Sequence, residues 1–262
     1  MKIGFIGMGN MAKAIASGFI GSGKVRAENL FAFAPNQEKL RKNSQELGFV
    51  PCGSLSSLAE NCGVFIMACK PYQIEDVLAE LKGSLSGKVL VSVAAGWNYE
   101  MFSKALGSSV RVQCVMPNSP AMVGEGVMLF EKENSLKPEE LEEIKDLFSS
   151  LGIIEELPSR LMGIGGAISG CGPAFMDLII EAYADAACKY GISRQAAYRI
   201  VSQTMLGSAK LQLETGLHPG ALKDAVCSPG GTTIRGVDSL EKSGLRGACI
   251  SCIDAVMDRE KR

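Results

Sequence analysis

Apolar residues in the first half of the chain come in short runs separated by segments of helical period. That alternation is expected of an open parallel sheet with helices on its faces. The runs predict strands at Lys2–Ile6, Leu30–Ala34, Val64–Cys69, Val89–Val93, Val110–Val115 and Gly126–Phe130. Between them the spacing predicts helices at Asn10–Gly21, Gln37–Leu47, Ser54–Asn61, Ile74–Leu81 and Tyr99–Leu106. A last one, Pro138–Leu151, sets Leu141, Ile144, Leu147, Phe148 and Leu151 on one face, with proline at its start and acidic residues in its first turn.

Beyond Pro158 the pattern changes. No convincing strand follows, and Ala174–Tyr190, Ser193–Glu214 and Leu245–Arg259 carry helical period. A helical second half is expected from 158 to 262, after a first domain over 1–157. Its helices are apolar on more than one side, as at Ala182, Ala184, Ala186, Ala187 and Cys188. That is more apolar surface than a core of its own needs, so dimerisation through this half is expected.

The chemistry begins at the first turn. Ile3-Gly4-Phe5-Ile6 runs straight into Gly7-Met8-Gly9-Asn10-Met11-Ala12, a G-x-G-x-x-A turn between a strand and a helix. Gly7 permits the tight turn, Gly9 leaves bare backbone for a pyrophosphate, and Ala12 lets the helix sit close to the strand. The N–H groups of that helix end, at Asn10 and Met11, would face the anion. The fold class that follows is an α/β Rossmann-type N-terminal domain with an all-α C-terminal dimerisation domain.

Charge and composition narrow the partners. With 27 basic and 28 acidic residues the formal net charge is -1, which steers the chain toward neither nucleic acid nor an anionic membrane. The nine cysteines are scattered and no secretory signal precedes them, so reduced thiols and a cytoplasmic setting are expected. Cys249 and Cys252 have no second pair, and the single histidine, His218, is distant in sequence, so no metal site is expected. The longest uncharged stretch, Leu161–Met176, is too short and too glycine-rich for a membrane span.

The second strand should end near Phe33-Ala34-Pro35-Asn36, where an NAD-preferring unit carries a carboxylate for the ribose 2′-hydroxyl. None stands there, and Lys39, Arg41 and Lys42 follow, so NADP is favoured, with NAD as a second acceptable cofactor. Ala68, Lys70 and Pro71 end the third strand, and Pro117 and Asn118 end another. Strand ends of this kind face the ligand crevice. For Pro117-Asn118 a rigid loop, with a cis proline as one way to make it, is the alternative. Near the C-terminal end, Ser228-Pro229-Gly230-Gly231-Thr232-Thr233 is a Gly-Gly loop before a helical pattern, suited to a carboxylate. A capped helix start with no ligand is the plain alternative there. His218, before Pro219-Gly220, reads either as a general acid or as the start of a helix.

Taken together these segments resemble the pyrroline-5-carboxylate reductase family over nearly the whole chain. The resemblance rests on Gly4–Gly9, Ala68–Pro71, Ser92–Gly96, Met116–Pro120 with Gly124-Glu125-Gly126, Ser169–Ala174, His218-Pro219-Gly220, Leu222-Lys223-Asp224 and Ser228–Thr233. It implies NADPH-dependent reduction of the cyclic imine 1-pyrroline-5-carboxylate to L-proline by a homodimer or an assembly of dimers. It also implies that Ala94, Ala95 and Gly96 line the cofactor, that Ser228, Gly230, Gly231 and Thr232 hold the substrate carboxylate, and that Thr233 sets its hydroxyl on the imine nitrogen. Three positions depart from the family pattern: Cys114 where arginine is frequent, Cys171 in place of a serine, and Ser54-Leu55 in place of an asparagine that serves the adenosine end.

Two rival readings compete with this resemblance. A β-hydroxyacid dehydrogenase needs a lysine four residues after the glycine of its helical-domain segment, and counting from Gly172 lands on Met176, which cannot take a proton. A regulator that binds NADP without turnover has no need of an intact Ser228, Gly230, Gly231 and Thr233.

Overall fold

The structure, a computed structural model, describes residues 1–81 and 83–260. It divides into two compact units, Met1–Gly170 and Cys171–Arg262.

In the first unit eight strands form one sheet in the order β3-β2-β1-β4-β5-β6-β7-β8. They are β1 (Ile3–Ile6), β2 (Leu30–Phe33), β3 (Val50–Pro51), β4 (Val64–Met67), β5 (Val89–Ser92), β6 (Arg111–Met116), β7 (Gly126–Glu131) and β8 (Gly152–Leu157). Strands β1 to β6 are parallel, in the order of a doubly wound nucleotide-binding sheet. The register puts Ile6 level with Phe33 and Met67, and Met67 level with Ser92, so the strands end on one line. That shared edge is where ligand-binding turns must lie.

An all-parallel sheet was expected, and β7 corrects it. Val115 pairs with Phe130 and Met116 with Leu129 in antiparallel sense. The physical reason is the connection: only the short 3-10 turn Ser119–Val123 lies between β6 and β7, and parallel pairing needs a crossover of a dozen or more residues. β8, which returns parallel to β7 after a helix, and the two-residue β3 were not predicted. β8 carries Glu155 and Glu156 at the open edge, so its apolar run is too short to register as a strand.

Helices α1 (Asn10–Gly21), α2 (Gln37–Leu47), α3 (Leu55–Asn61), α4 (Ile74–Glu80), α5 (Tyr99–Leu106) and α6 (Pro138–Ser149) lie where the period predicts them, within two residues. Strand alternation splits the core in two. Ile3, Phe5, Val64, Ile66, Val89 and Val91 face one cluster with Ile15, Phe19 and Phe148, while Ile6, Phe65, Met67 and Leu90 face the other with Leu58, Ile74 and Phe102. Phe148 meets Phe19 and Phe130 edge-on, with ring centroids 5.3 and 5.7 Å apart.

α7 (Ser159–Ser169) was not predicted as a separate helix, and it belongs to the first unit, which therefore runs past 157 to Gly170. Two glycines explain both facts. A Cβ at Gly165 would lie 2.5 Å from Leu157 Cδ1 and 2.8 Å from Leu129 Cδ1, and one at Gly166 2.5 Å from Met116 Sδ. Their bare backbone lets α7 lie directly on β7 and β8, and their low helix propensity hides the helix from pattern reading.

The second unit is all helix, as expected: α8 (Gly172–Lys189), α9 (Arg194–Thr215), α10 (Pro219–Ala225), α11 (Thr232–Lys242) and α12 (Leu245–Glu260). Among its described residues only Ala184 and Ala197 are buried apolar side chains, while Leu178, Tyr183, Ile200, Leu206, Leu213 and Ile250 are exposed. The run Ser159–Lys189 holds an 18-residue window with a mean hydropathy of 1.4, long and apolar enough by length and composition to cross a membrane. Its helix is interrupted between Ser169 and Gly172.

Gly165→Val forces a branched side chain into Leu129 and Leu157 and should cost about 1–3 kcal/mol, lowering Tm by several degrees in thermal unfolding. An unchanged Tm would mean that α7 is not held against the sheet.

Candidate active site

The turn after β1 is built by an approach that only glycine allows. Gly7 has φ +95°, and a Cβ there would come within 2.8 Å of both Ala68 O and Cys69 N. The parallel ladder continues into this corner: Gly7 N donates to Phe33 O at 2.8 Å and Ala68 N to Ile6 O at 2.9 Å. Three turns, after β1, β2 and β4, are thereby drawn together.

They enclose a cavity of about 290 Å³ lined by Gly7, Met8 and Gly9, by Ala34, Pro35, Asn36 and Lys39, and by Ala68, Cys69, Lys70 and Gln73. Of the expected cofactor residues, seven segment members at Gly7, Gly9, Ala34, Pro35, Asn36, Ala68 and Lys70 are brought into one wall. A Cβ on Gly9 would meet nothing within 4 Å, so the space before α1 is open. No side chain caps α1, whose first N–H groups, on Asn10 and Met11, face that space with the positive end of the helix dipole. Open space, bare backbone and uncompensated donors fit a dinucleotide pyrophosphate.

The second turn carries the discrimination between cofactors. Its position is set by Gln37, whose Nε2 donates to Ala34 O at 2.9 Å, and Asn36 caps α2 by accepting from Lys39 N at 2.9 Å. No carboxylate lines the cavity, and Lys39 does. A 2′-phosphate would therefore meet a cation and no repulsion. Arg41 and Lys42 are exposed and outside the lining. Burial pushes the Cys69 thiol above its ordinary value, so it stays neutral beside the cavity.

Pro71 begins the turn that leads into α4, and the Lys70 N–H is held by Gln73 Oε1 at 3.1 Å. Ala95 and Gly96 are exposed on the next loop, where Ala94 N donates to Ser92 Oγ at 3.3 Å. Pro117 and Asn118 follow the end of β6. Both are buried, and Asn118 spends its side chain on the protein, donating to Ser169 O at 3.0 Å and accepting from Val127 N at 2.9 Å. Its amide joins β7 to α7. Every described peptide bond is trans, Ser119-Pro120 and Met116-Pro117 included.

The departures also find structural roles. Ser54 caps α3 by accepting from Ser57 N at 3.1 Å, and Leu55 is buried in the second core cluster. Cys114 is buried, and burial, followed by the neighbouring Glu131 carboxylate, drives its thiol far above the ordinary range. Sequence reasoning missed Asn43, 6 % exposed on α2, whose Nδ2 reaches Met8 O at a long 3.5 Å. The signal was available: Asn43 is the polar member of the Leu40, Asn43, Leu47 stripe.

In the helical unit, Ser228–Gly231 is a tight turn closed by Gly231 N donating to Ser228 O at 3.0 Å. Pro229 sits second and Gly230, with φ +70°, third, which is the geometry of a type II turn. It delivers the chain to α11, whose start at Gly231 and Thr232 has no side-chain cap. The capped-helix alternative for this loop is thus not what is found. Ser228, Thr232 and Thr233 are all exposed there beside the free N–H groups. His218, by contrast, is a helix start: its Nδ1 accepts from Gly220 N at 3.0 Å, capping α10.

Comparison with known proteins then decides the kinship. The family model described as pyrroline-5-carboxylate reductase dimerisation matches residues 159–262, and one described as NADP oxidoreductase, coenzyme F420-dependent, matches residues 2–96. A pyrroline-5-carboxylate reductase of Treponema pallidum (strain Nichols) is 39% identical over 98% of this chain and 99% of its own length. The chain belongs to the pyrroline-5-carboxylate reductase family. The Escherichia coli (strain K12) reductase is 37% identical over 100% of this chain and 97% of its own. The crystal structure of the Plasmodium falciparum pyrroline carboxylate reductase with NADP bound superposes with a TM-score of 0.88 at 34% identity, covering 100% of this chain and 97% of that one.

Gly9→Val places a branched side chain where the fold has room and a pyrophosphate needs it. NADPH affinity should fall at least about tenfold, or about 1.4 kcal/mol, with Tm unchanged. Wild-type affinity in that variant would contradict the pyrophosphate assignment.

Proposed function

We propose that this family member catalyses the NADPH-dependent reduction of 1-pyrroline-5-carboxylate to L-proline, the last step of proline biosynthesis. The observation that carries the reading is the start of α11: an uncapped helix end with Ser228, Thr232 and Thr233 exposed around it. A carboxylate suits that end because free N–H groups and the helix dipole both favour an anion. The reaction adds a hydride to the imine carbon and a proton to the nitrogen, so the chain must grip the carboxylate, orient the ring and offer a donor at nitrogen. It needs no strong base.

Each residue then has one task. Ser228 Oγ and the N–H groups of Gly231's successors Thr232 and Thr233 bind the carboxylate, with Gly230 and Gly231 keeping the turn bare. Thr233 Oγ–H donates to the ring nitrogen, where the bond strengthens as the nitrogen gains electron density. Bound along Gly7, Gly9, Asn10, Met11, Ala34–Asn36 and Ala68–Pro71, with Ala94–Gly96 beside it, NADPH supplies the hydride. Lys39 and the lack of a carboxylate after β2 favour NADPH over NADH.

The assembly we propose is a homodimer, or a set of such dimers, through residues 159–262. It is supported by the matched dimerisation model and by a helical unit whose apolar side chains find almost no cover in one copy. The setting we propose is cytoplasmic, a reducing compartment that suits nine unpaired thiols.

Oxidation of NADPH followed at 340 nm should occur with 1-pyrroline-5-carboxylate and not with a β-hydroxyacid partner; no turnover with any five-membered cyclic imine would end the proposal. Thr233→Val should lower kcat by about ten- to a hundredfold with a smaller change in imine KM, and an unchanged kcat would remove Thr233 from this role. In Gly231→Ala the new Cβ would lie 2.4 Å from Ser228 Oγ. Pushing that hydroxyl aside should raise imine KM about fivefold to tenfold with NADPH KM unchanged, which steady-state kinetics can read directly.

A further inference from the structure

Glu131 is the one carboxylate buried in the core among the described residues, 2 % exposed at the end of β7, and no Lys or Arg there pairs with it. An isolated buried carboxylate is costly unless its oxygens are hydrogen-bonded. Both oxygens are. Oε2 accepts from Tyr99 N at 2.8 Å, and Oε1 from Ser159 Oγ at 2.5 Å. The Cys114 thiol, one residue on from the Val115–Phe130 pair, also contacts the carboxylate.

The Tyr99 bond is the informative one. Tyr99 is the first residue of α5, so its N–H has no partner within the helix, and a carboxylate there also meets the positive end of the helix dipole. Asn98 already caps the same end through Met101 N at 2.9 Å, so helix stability alone does not call for a second, buried cap. What lies immediately before is the loop from Val93 to Asn98. Its near end is tied by the buried Ser92, which accepts from Ala94 N, and its far end by Glu131. Between the two ties Ala95 and Gly96 are exposed, and Trp97 rests on Phe102 with centroids 4.9 Å apart.

We infer that Glu131 is a positioning residue for the cofactor: by holding the first N–H of α5 it fixes the Ala94–Gly96 loop that flanks NADPH. This rests on the cofactor assignment proposed above. It concerns the loop's geometry and no step of the reaction, so it can be tested by binding alone.

The test is NADPH titration of the full chain, followed by the fluorescence of Trp97, its single tryptophan. Glu131→Met keeps side-chain volume and removes both acceptors; it should raise the NADPH Kd about tenfold, while Glu131→Gln, which keeps one acceptor oxygen, stays within about threefold of wild type. Ser159→Ala removes the other partner of the same carboxylate and should lower Tm without moving the NADPH Kd. Should Glu131→Met fail to fold, Tyr99→Pro removes the N–H itself at a helix position proline favours, and the same rise in Kd is expected. Wild-type affinity in Glu131→Met, or in Tyr99→Pro where that variant decides, overturns the inference, as does a Ser159→Ala Kd raised as far as that of the Glu131 variant. Tight NADPH binding without imine turnover in the wild type would strike the proposed reaction and leave Glu131's role intact.

Discussion

The site depends on how closely two neighbouring strand ends approach at Gly7. Parallel strands β1 and β4 keep their ladder up to Ala68, and the turn after β1 must then cross in front of the turn after β4 at a separation that excludes even a methyl group. Once that crossing is made, α1 begins at a fixed place, its first N–H groups point along the strand ends, and the turns after β2 and β4 become walls of one cavity. A wider crossing would leave the same residues on a flat edge.

The helix starts divide by whether the residue before them caps them with a side chain. Asn36, Ser54, Asn98, Ser193 and His218 each cap the helix they precede with a side-chain acceptor. Such caps contribute about 1 kcal/mol apiece, so omitting one has a cost. α1 and α11 omit it, and so do α4, α6, α7 and α8. The missing cap is therefore not enough by itself. What distinguishes α1 is the open space at Gly9, and what distinguishes α11 is the turn that leaves Ser228 and two threonines exposed around the free donors.

Local patterns made much of this legible. The strand alternation that divides the core, the helices with a clear apolar stripe and the Gly7–Ala12 turn all depend on neighbours in sequence, and each lies where the pattern predicts it. The elements that escaped depend on distant partners. β8 is a strand because β7 is beside it, α7 is a helix whose glycines are explained only by Leu129, Leu157 and Met116, and β7 runs antiparallel because of the length of one connection. The partners of Asn118 are of the same kind: a polar residue after a strand end suits a ligand or a distant backbone equally well, and its bonds to Ser169 and Val127 are made with residues far along the chain. In the helical unit the alanine-rich helices were readable, and their lack of cover in one copy follows from the same composition.

The buried polar side chains tie these threads together. Among the described residues they are Asn43, Ser92, Gln113, Asn118, Glu131 and Ser169, and each costs stability unless its polar atoms are paired. Five of them hold the backbone of a ligand-edge turn or the elements that support it: Asn43 reaches Met8, Ser92 takes Ala94 N, Glu131 takes Tyr99 N, Asn118 joins Val127 to Ser169, and Ser169 donates back to Gly165 O. Gln113 spans Cys114 O and Glu131 O where the sheet changes from parallel to antiparallel, and leaves its own Oε1 without a partner. An apolar core would hold the sheet together without them. Hydrogen bonds are directional where apolar contacts are not, so this set is best understood as fixing backbone atoms at the sheet's ligand edge, a requirement of function that the core alone does not impose.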